Sequence, residues 1–141
     1  MLKILVSIDG SASAMNALRH VIALRDNGLA VETHLINVQL PLASGHAKMF
    51  ISSDDYNRYC QHEAQKLLAG ARALLDDGQV PYRHHIIVGH IGESIVRFAK
   101  EQGMDAICMG AQGVAGIAER LMGSVASTVL DLAPMPVTLV K

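Results

Sequence analysis

The sequence has few charged and few aromatic residues, and these shortages exclude whole classes of protein. Only 18% of the 141 residues are charged and the formal net charge is −1, so the chain lacks the electrostatic field that attracts nucleic acid or an anionic membrane. Half of the residues are hydrophobic, which excludes a disordered chain. We therefore expect neither nucleic acid nor a membrane as a partner. Any recognition of phosphate must be local, made by a loop or a helix end.

Cysteine is also scarce. Cys60 and Cys108 lie far apart, and the chain has neither a CxxC pair nor the dense cysteine spacing of a secreted disulfide scaffold. The apolar run at the start of the chain is about six residues long, too short for a signal sequence or a membrane span. These features predict a reducing, cytoplasmic location.

The common catalytic motifs are missing as well. The sequence contains no HExxH, no GxSxG and no GxxxxGK[ST], and no residue pattern pairs a nucleophile with a base. His84, His85 and His90 are the obvious candidate metal ligands, but neighbouring residues on a strand point to opposite faces. We expect no catalytic residues and no metal site built from side chains.

What the sequence does contain is an alternation of short apolar segments with longer segments of helical periodicity. Strands are predicted at 2–8, 31–38, 82–88, 105–109 and 137–140, and helices at 13–27, 54–77, 92–102 and 124–132. This order is typical of βαβ units with a parallel sheet, in a single domain over residues 1–141. Ligands of such sheets bind at the carboxyl ends of the strands, where the strand order reverses.

The segment 39–53 is long for a connection in a compact domain. It contains an apolar cluster, Met49-Phe50-Ile51, within otherwise polar residues. We expect this cluster to fold back onto the domain. The alternative is a contact for a partner, or a flap near a ligand.

The loop after the fourth strand is the most informative segment. Gly110 and Gly113 let the chain turn sharply, and Gly123-Ser124 open the last helix, where free N–H groups and the helix dipole favour an anion. These features allow two interpretations: a cradle for phosphates, or a glycine-rich connection that ends in a helix cap.

The spacing of this loop resembles the nucleotide-binding signature of the universal stress protein family, G-2x-G-9x-G-[ST], which lies between the fourth strand and the last helix. The matching residues are Gly110, Gly113, Gly123 and Ser124, and the resemblance extends to the segments 3–11, 92–110 and 133–140. It implies a Rossmann-like, doubly wound α/β fold similar to the adenine nucleotide alpha hydrolases, with five parallel strands in the order 3-2-1-4-5 and four helices. It also implies an adenine nucleotide as ligand: ATP above all, with ADP and AMP as alternatives and Mg²⁺ accompanying the phosphates.

The resemblance implies a role for each site residue. Ser7 would lie near the adenine, and Asp9 and the main chain at Val38 would contact the adenosine. The residues that would hold the ribose and phosphates are Met109, Gly110, Gln112, Gly113, Gly123, Ser124 and Val125. Gln112 and Glu119 stand where the family often has basic residues, so this loop is less positive. Asp9 has an alternative interpretation, as the acceptor of an Asx-turn or the cap of the first helix.

The last strand predicts an interface. At the edge of the sheet, its residues Val137, Thr138, Leu139 and Val140 are mostly apolar and carry no charge in mid-strand. The resemblance implies a homodimer through this strand, in a regulatory protein of the stress response. Two alternatives stay open: a slow ATPase or nucleotide-transfer enzyme using the same site, and an interaction dimer that binds no nucleotide.

Overall fold

The computed structural model describes residues 1–42, 49–112 and 122–141. All nine predicted elements are present, and their bounds lie within one residue of the predicted ones. They are β1 (Leu2–Ser7), α1 (Ala12–Asp26), β2 (Val31–Gln39), α2 (Ser53–Asp77), β3 (Tyr82–Val88), α3 (Ile91–Glu101), β4 (Ala106–Gly110), α4 (Ser124–Leu132) and β5 (Val137–Val140).

The five strands form one parallel sheet in the order β3-β2-β1-β4-β5, which confirms the predicted topology. Val6 of β1 pairs with Leu35 of β2 on one side and with Cys108 of β4 on the other. After β1 the chain adds strands in one direction and then returns to place β4 beside β1. The strand order therefore reverses between β1 and β4.

The core has two layers, one on each face of the sheet. Leu18, Val21 and Leu68 pack with Ile4 and Val6 on the face covered by α1 and α2. The second layer contains Leu5, Ile36, Ile95, Ile107 and Val129, on the face covered by α3 and α4. Successive residues of β1 thus enter opposite layers, which explains why Ile4, Leu5 and Val6 are all apolar instead of alternating with polar residues.

Serine caps define where the two longest helices begin. The Ser11 hydroxyl accepts a hydrogen bond from the Ala14 N–H at the start of α1, and the Ser52 hydroxyl accepts one from the Asp55 N–H at the start of α2. None of the helices within the described ranges has both the length and the apolarity needed to span a bilayer.

The expectation for the apolar cluster in segment 39–53 is wrong for two of its residues. The side chains of Met49 and Phe50 are each 78% exposed, whereas Ile51 is half-buried in a shallow groove beside Tyr56. The cluster therefore does not fold back as a unit. Residues 43–48 of the same segment lie outside the described part of the chain.

A chain of three hydrogen-bonding side chains links β2 to the edge strand β3. His34, only 4% exposed, donates through Nε2 to Oε2 of Glu32 at 2.6 Å, and its Nδ1 lies 2.9 Å from Nε2 of His85. The two imidazole rings stack with centroids 5.2 Å apart, and the ring of Phe98 lies 4.5 Å from that of His85. His85 is thus paired with His34 of the neighbouring strand. Within the described ranges, no three His, Cys, Asp or Glu residues cluster as metal ligands would.

This environment changes the acid–base properties of two of the three groups. Burial lowers the pKa of His85, and the nearby His34, His84 and Arg83 lower it further. The hydrogen bond from His34 lowers the pKa of Glu32. The folded protein therefore holds His85 neutral and Glu32 ionised at a lower pH than the unfolded chain does.

We expect the free energy of unfolding to fall as the pH is lowered from about 7.5 to about 5.5. In the unfolded chain His85 is protonated near the ordinary histidine pKa of about 6.5, whereas in the folded protein its pKa is lower. The contribution of His85 to the free energy of unfolding is therefore present above this pH and is lost as the pH falls below it. His85→Gln should flatten this dependence. Denaturant unfolding at several pH values measures it, with His62→Gln on the exposed surface of α2 as the matched control. Equal pH slopes in the two variants would contradict the assignment.

Candidate ligand-binding site

A cavity of about 360 Å³ opens at the carboxyl ends of β1, β2 and β4, where the strand order reverses. Its volume lies within the range of small-molecule sites. The start of α4 closes one side, and single residues of α1, α2 and α3 complete the wall. The lining residues are Ser7, Ile8, Asp9, Ala14, Asn37, Val38, Leu67, Ile91, Met109, Gly110, Ala111, Gln112, Gly123, Ser124, Val125 and Ala126.

The structure brings nine of the ten predicted site residues to this one cavity. They are Ser7, Asp9, Val38, Met109, Gly110, Gln112, Gly123, Ser124 and Val125. The tenth, Gly113, lies outside the described residues, as does Glu119. Residues more than a hundred positions apart in the chain thus share one wall, as the reversal of strand order predicts.

Main-chain hydrogen bonds hold the two ends of the glycine loop together. The N–H of Gly123 donates to the carbonyl of Ala111 at 2.8 Å, which places the start of α4 beside the end of β4. The N–H of Ala111 in turn donates to the carbonyl of Val140 at 2.8 Å. On the other side of the loop, the Ser13 hydroxyl donates to the carbonyl of Gln112 at 2.6 Å. Hydrogen bonds to β5 and α1 therefore fix the residues at which the chain enters the loop, and Ala111 fixes the residue at which it leaves.

Gly110 has a packing role that sequence reasoning did not identify. A Cβ at this position would lie 2.2 Å from the Ser13 hydroxyl oxygen and 2.7 Å from the Ala14 nitrogen. The serine side chain can rotate away, but the main chain of α1 cannot. Glycine was expected at this position to let the chain turn sharply beside a ligand. In the structure, its missing side chain leaves room for the first turn of α1.

Asp9 combines a structural role with a position in the cavity. Its Oδ1 accepts a hydrogen bond from the Ser11 N–H at 2.9 Å, which is the predicted Asx-turn. The helix cap itself is Ser11 and not Asp9. The turn fixes the orientation of the carboxylate, which lines the cavity wall.

Asn37 is a lining residue that the sequence analysis missed. It is only 3% exposed; its Nδ2 donates to the carbonyl of Ile8 at 2.7 Å, and its Oδ1 accepts from Nε2 of Gln39 at 2.8 Å. This amide therefore ties the end of β2 to the turn after β1. The available signal was an amide inside the apolar run from Leu35 to Val38 near the end of β2. The other missed lining residues are apolar and carry no comparable signal: Ile8, Ala14, Leu67, Ile91 and Ala126.

The electrostatics of the cavity come from main-chain groups more than from side chains. Gly123, the N-cap of α4, has no side chain with which to bond the first N–H groups of the helix, so these are available to an anion. Asp9 is the one ionisable side chain among the lining residues of the described structure, and none of those residues is Lys, Arg or His. The remaining surface is mostly apolar and suits a flat aromatic group.

Comparison with known proteins decides the family. The sequence profile of the universal stress protein family matches residues 1–141, the whole length of the chain. The chain belongs to this family. The resemblance inferred from the glycine loop is thereby confirmed.

Individual relatives agree with this assignment. The chain is 27% identical over 152 aligned residues to universal stress protein MJ0577 of Methanocaldococcus jannaschii, covering 99% of this chain and 94% of that one. It is 26% identical to universal stress protein YxiE of Bacillus subtilis, covering 99% and 98% of the two chains. The solved structure of MJ0577 superposes with a TM-score of 0.84 at 31% identity, over 99% of this chain and 95% of that one.

A further solved structure contains a bound nucleotide. The universal stress protein from Archaeoglobus fulgidus in complex with dAMP superposes with a TM-score of 0.69 at 25% identity, over 100% of this chain and 98% of that chain. The ligand of that relative is an adenine nucleotide.

Gly110→Ala should lower the free energy of unfolding by about 1–3 kcal/mol, the usual cost of overpacking, because β4 or α1 must move to admit the Cβ. Gly70→Ala is the matched control: Gly70 lies in α2, and a Cβ there would have no neighbour within 4 Å apart from the nearby backbone of its own helix. That change should stabilise the protein by roughly 0.5–1 kcal/mol through helix propensity. Urea unfolding of both variants measures the difference. A Gly110→Ala protein as stable as the wild type would disprove the packing role.

Proposed function

We propose that this universal stress protein is a regulatory protein that binds adenine nucleotides, ATP among them, and changes its partner contacts on binding. The observation that carries the proposal is the cavity at the reversal of strand order, where the Asp9 carboxylate and the uncapped start of α4 face the same space. Membership of the family and the dAMP complex of the A. fulgidus relative support an adenine nucleotide as the ligand.

The proposed binding mode follows from the distribution of polar groups. Val38, Ile91 and Met109 offer apolar surface for the adenine, with Ser7 close by. The carboxylate of Asp9, already oriented by the Ser11 N–H, is placed to accept from ribose hydroxyls. The first N–H groups of α4 and the Ser124 hydroxyl would bind phosphate oxygens, which completes the ligand from base to phosphate. Gly113 is proposed to contact the phosphates by its place in the motif.

Any Mg²⁺ at this site would be held mainly by the nucleotide. Asp9 is the one carboxylate that lines the described part of the cavity, and one of its oxygens already accepts from the main chain. Mg²⁺ in nucleotide sites typically binds one or two carboxylates together with substrate phosphates and waters. The donor set thus fits an ion that enters with the phosphates and does not fit a resident metal centre.

Ser124→Ala should weaken the binding of ATP by about 1–3 kcal/mol, the range for losing a hydrogen bond to a charged group, and leave thermal stability unchanged. Titration calorimetry with ATP measures this. Ser127→Ala, one turn later on the exposed side of α4, removes the same hydroxyl away from the cavity and should bind like the wild type. A wild-type protein that binds no adenine nucleotide, and from which none is released by acid extraction, would overturn the proposed function.

We propose further that the protein forms a homodimer through β5. Only β4 pairs with β5 in the described structure, so the outer edge of β5 presents unpaired N–H and C=O groups. Thr138 is exposed, and Val137 and Leu139 are half-buried, so this edge carries apolar surface without a charge in mid-strand. Antiparallel pairing with a second copy about a two-fold axis would satisfy the same groups on both chains.

Leu139→Pro should shift the protein toward monomer, because the main-chain groups of residues 136 and 140 face β4, so the N–H of Leu139 faces the outer edge and proline removes this donor. Leu139→Lys should act in the same direction by placing a charge on the apolar face. Sedimentation velocity over a range of concentrations measures both, with Leu139→Val, which keeps the N–H and the apolar side chain, as the control. A wild-type protein that is monomeric at high micromolar concentration would end the dimer proposal.

The proposed setting is the cytoplasm, in the response to stress. Cys60 and Cys108 are both free and buried, as expected for a protein that folds in a reducing compartment. Burial raises the pKa of the Cys108 thiol to about 11, so this cysteine is kept unreactive and serves the core.

A further inference from the structure

The hydrogen-bond ladder between β1 and β2 ends in an unusual way at the cavity. Ser7 is the last residue of β1 in register with β2, opposite Ile36. The next N–H along the chain, that of Ile8, still donates to the carbonyl of Ile36 at 2.9 Å. In a regular parallel ladder the carbonyl of Ile8 would then accept from the N–H of Val38, because alternate residues of a strand direct their main-chain groups to the same neighbour. The structure departs from the regular pattern at this carbonyl.

The side chain of Asn37 takes the place of the Val38 N–H. Its Nδ2 donates to the carbonyl of Ile8 at 2.7 Å, and its Oδ1 accepts from Nε2 of Gln39 at 2.8 Å. Since a carbonyl only accepts, the bond to Ile8 determines which end of the amide faces β1. Asn37 is buried, and both ends of its amide are paired. The ladder thus ends on a side chain, and the N–H of Val38 is not used to extend it.

Val38 lines the cavity, beside the apolar surface of Ile91 and Met109 that we assign to the base. We propose that Asn37 is a positioning residue: by occupying the carbonyl of Ile8, it keeps the Val38 N–H out of the sheet as a donor for the nucleotide base. The inference rests on the proposed function and concerns how the same cavity binds the base. Adenine carries ring nitrogens that accept hydrogen bonds in the plane of the base, so a main-chain N–H in the cavity wall suits its edge.

Amide hydrogen exchange, followed by NMR, measures the state of this N–H directly. In the wild type without ligand, the N–H of Val38 should be at least tenfold less protected than that of Ile36, which lies within the ladder. Saturating AMP should raise the protection of Val38 by tenfold or more, and by more than it raises that of Ile36. Equal protection of the two groups without ligand would overturn the inference, and so would bound AMP that leaves Val38 unchanged relative to Ile36.

Asn37→Leu tests the role of the side chain. The substitution removes the amide, so the carbonyl of Ile8 needs another donor and the N–H of Val38 should take it. We expect the protection of Val38 without ligand to rise toward that of Ile36, and AMP to bind at least tenfold more weakly in titration calorimetry. Thr33→Val is the matched control, because it removes a polar group from an equally buried position of β2 outside the cavity lining. This control should keep the wild-type protection and affinity.

The possible outcomes separate the inference from the proposed function. Weaker binding of AMP to Asn37→Leu with unchanged protection of Val38 would mean that the amide itself contacts the ligand, which overturns the positioning role. An AMP affinity within twofold of the wild type would also overturn it, and the proposed function would stand. If Asn37→Leu fails to fold, the two wild-type exchange measurements decide alone. A wild type that binds none of AMP, ADP and ATP would overturn the proposed function and, with it, the role of Val38 toward a base.

Discussion

The cavity depends on the close contact between the end of β4 and the first turn of α1 at Gly110. This contact exists because glycine leaves room for the main chain at Ser13 and Ala14. It places the Ser13 hydroxyl against the carbonyl of Gln112, so the strand is held at the point where it becomes a loop. A larger residue would separate β4 from α1, and the start of α4, which bonds to Ala111, would move with the strand. The geometry of the cavity wall at the start of α4 therefore originates in a packing requirement on the opposite side of β4.

The fold followed from the sequence because each element carries its own signal. The central strands β1 and β4 are mostly apolar, and the long helices begin at serines and end near glycines, so the bounds were accurate to one residue. The order of the strands came from the alternation of elements together with the family resemblance. These signals lie in short segments of the sequence or in the regular order of the elements, so they can be recognised without a structure.

The site residues that belong to the glycine motif could be predicted from the sequence. Residues whose role depends on a partner elsewhere in the fold could not. Asn37 could be seen as a polar residue in the apolar run from Leu35 to Val38, but its partner, the carbonyl of Ile8, is determined by how two parallel strands end beside each other. The pairing of His34 with His85 depends in the same way on the register of β2 against β3. The role of Gly110 depends on the distance between β4 and the first turn of α1, two elements that are not consecutive in the sequence. Such distances are determined by the packing of the helices on the whole sheet.

Ala111 is the residue in which two parts of the domain meet. Its N–H bonds to the last residue of β5 and its carbonyl to the N-cap of α4, so two hydrogen bonds and one residue separate the sheet edge from the helix that faces the cavity. Both hydrogen bonds are 2.8 Å long, at the short end of the usual range for N–H···O bonds. A shift of the first turn of α4 must therefore stretch this pair of bonds or move the end of β5 with it. The molecule thus contains a short mechanical linkage between an internal space and an outer edge, built entirely from main-chain atoms and hence independent of the side chain at position 111.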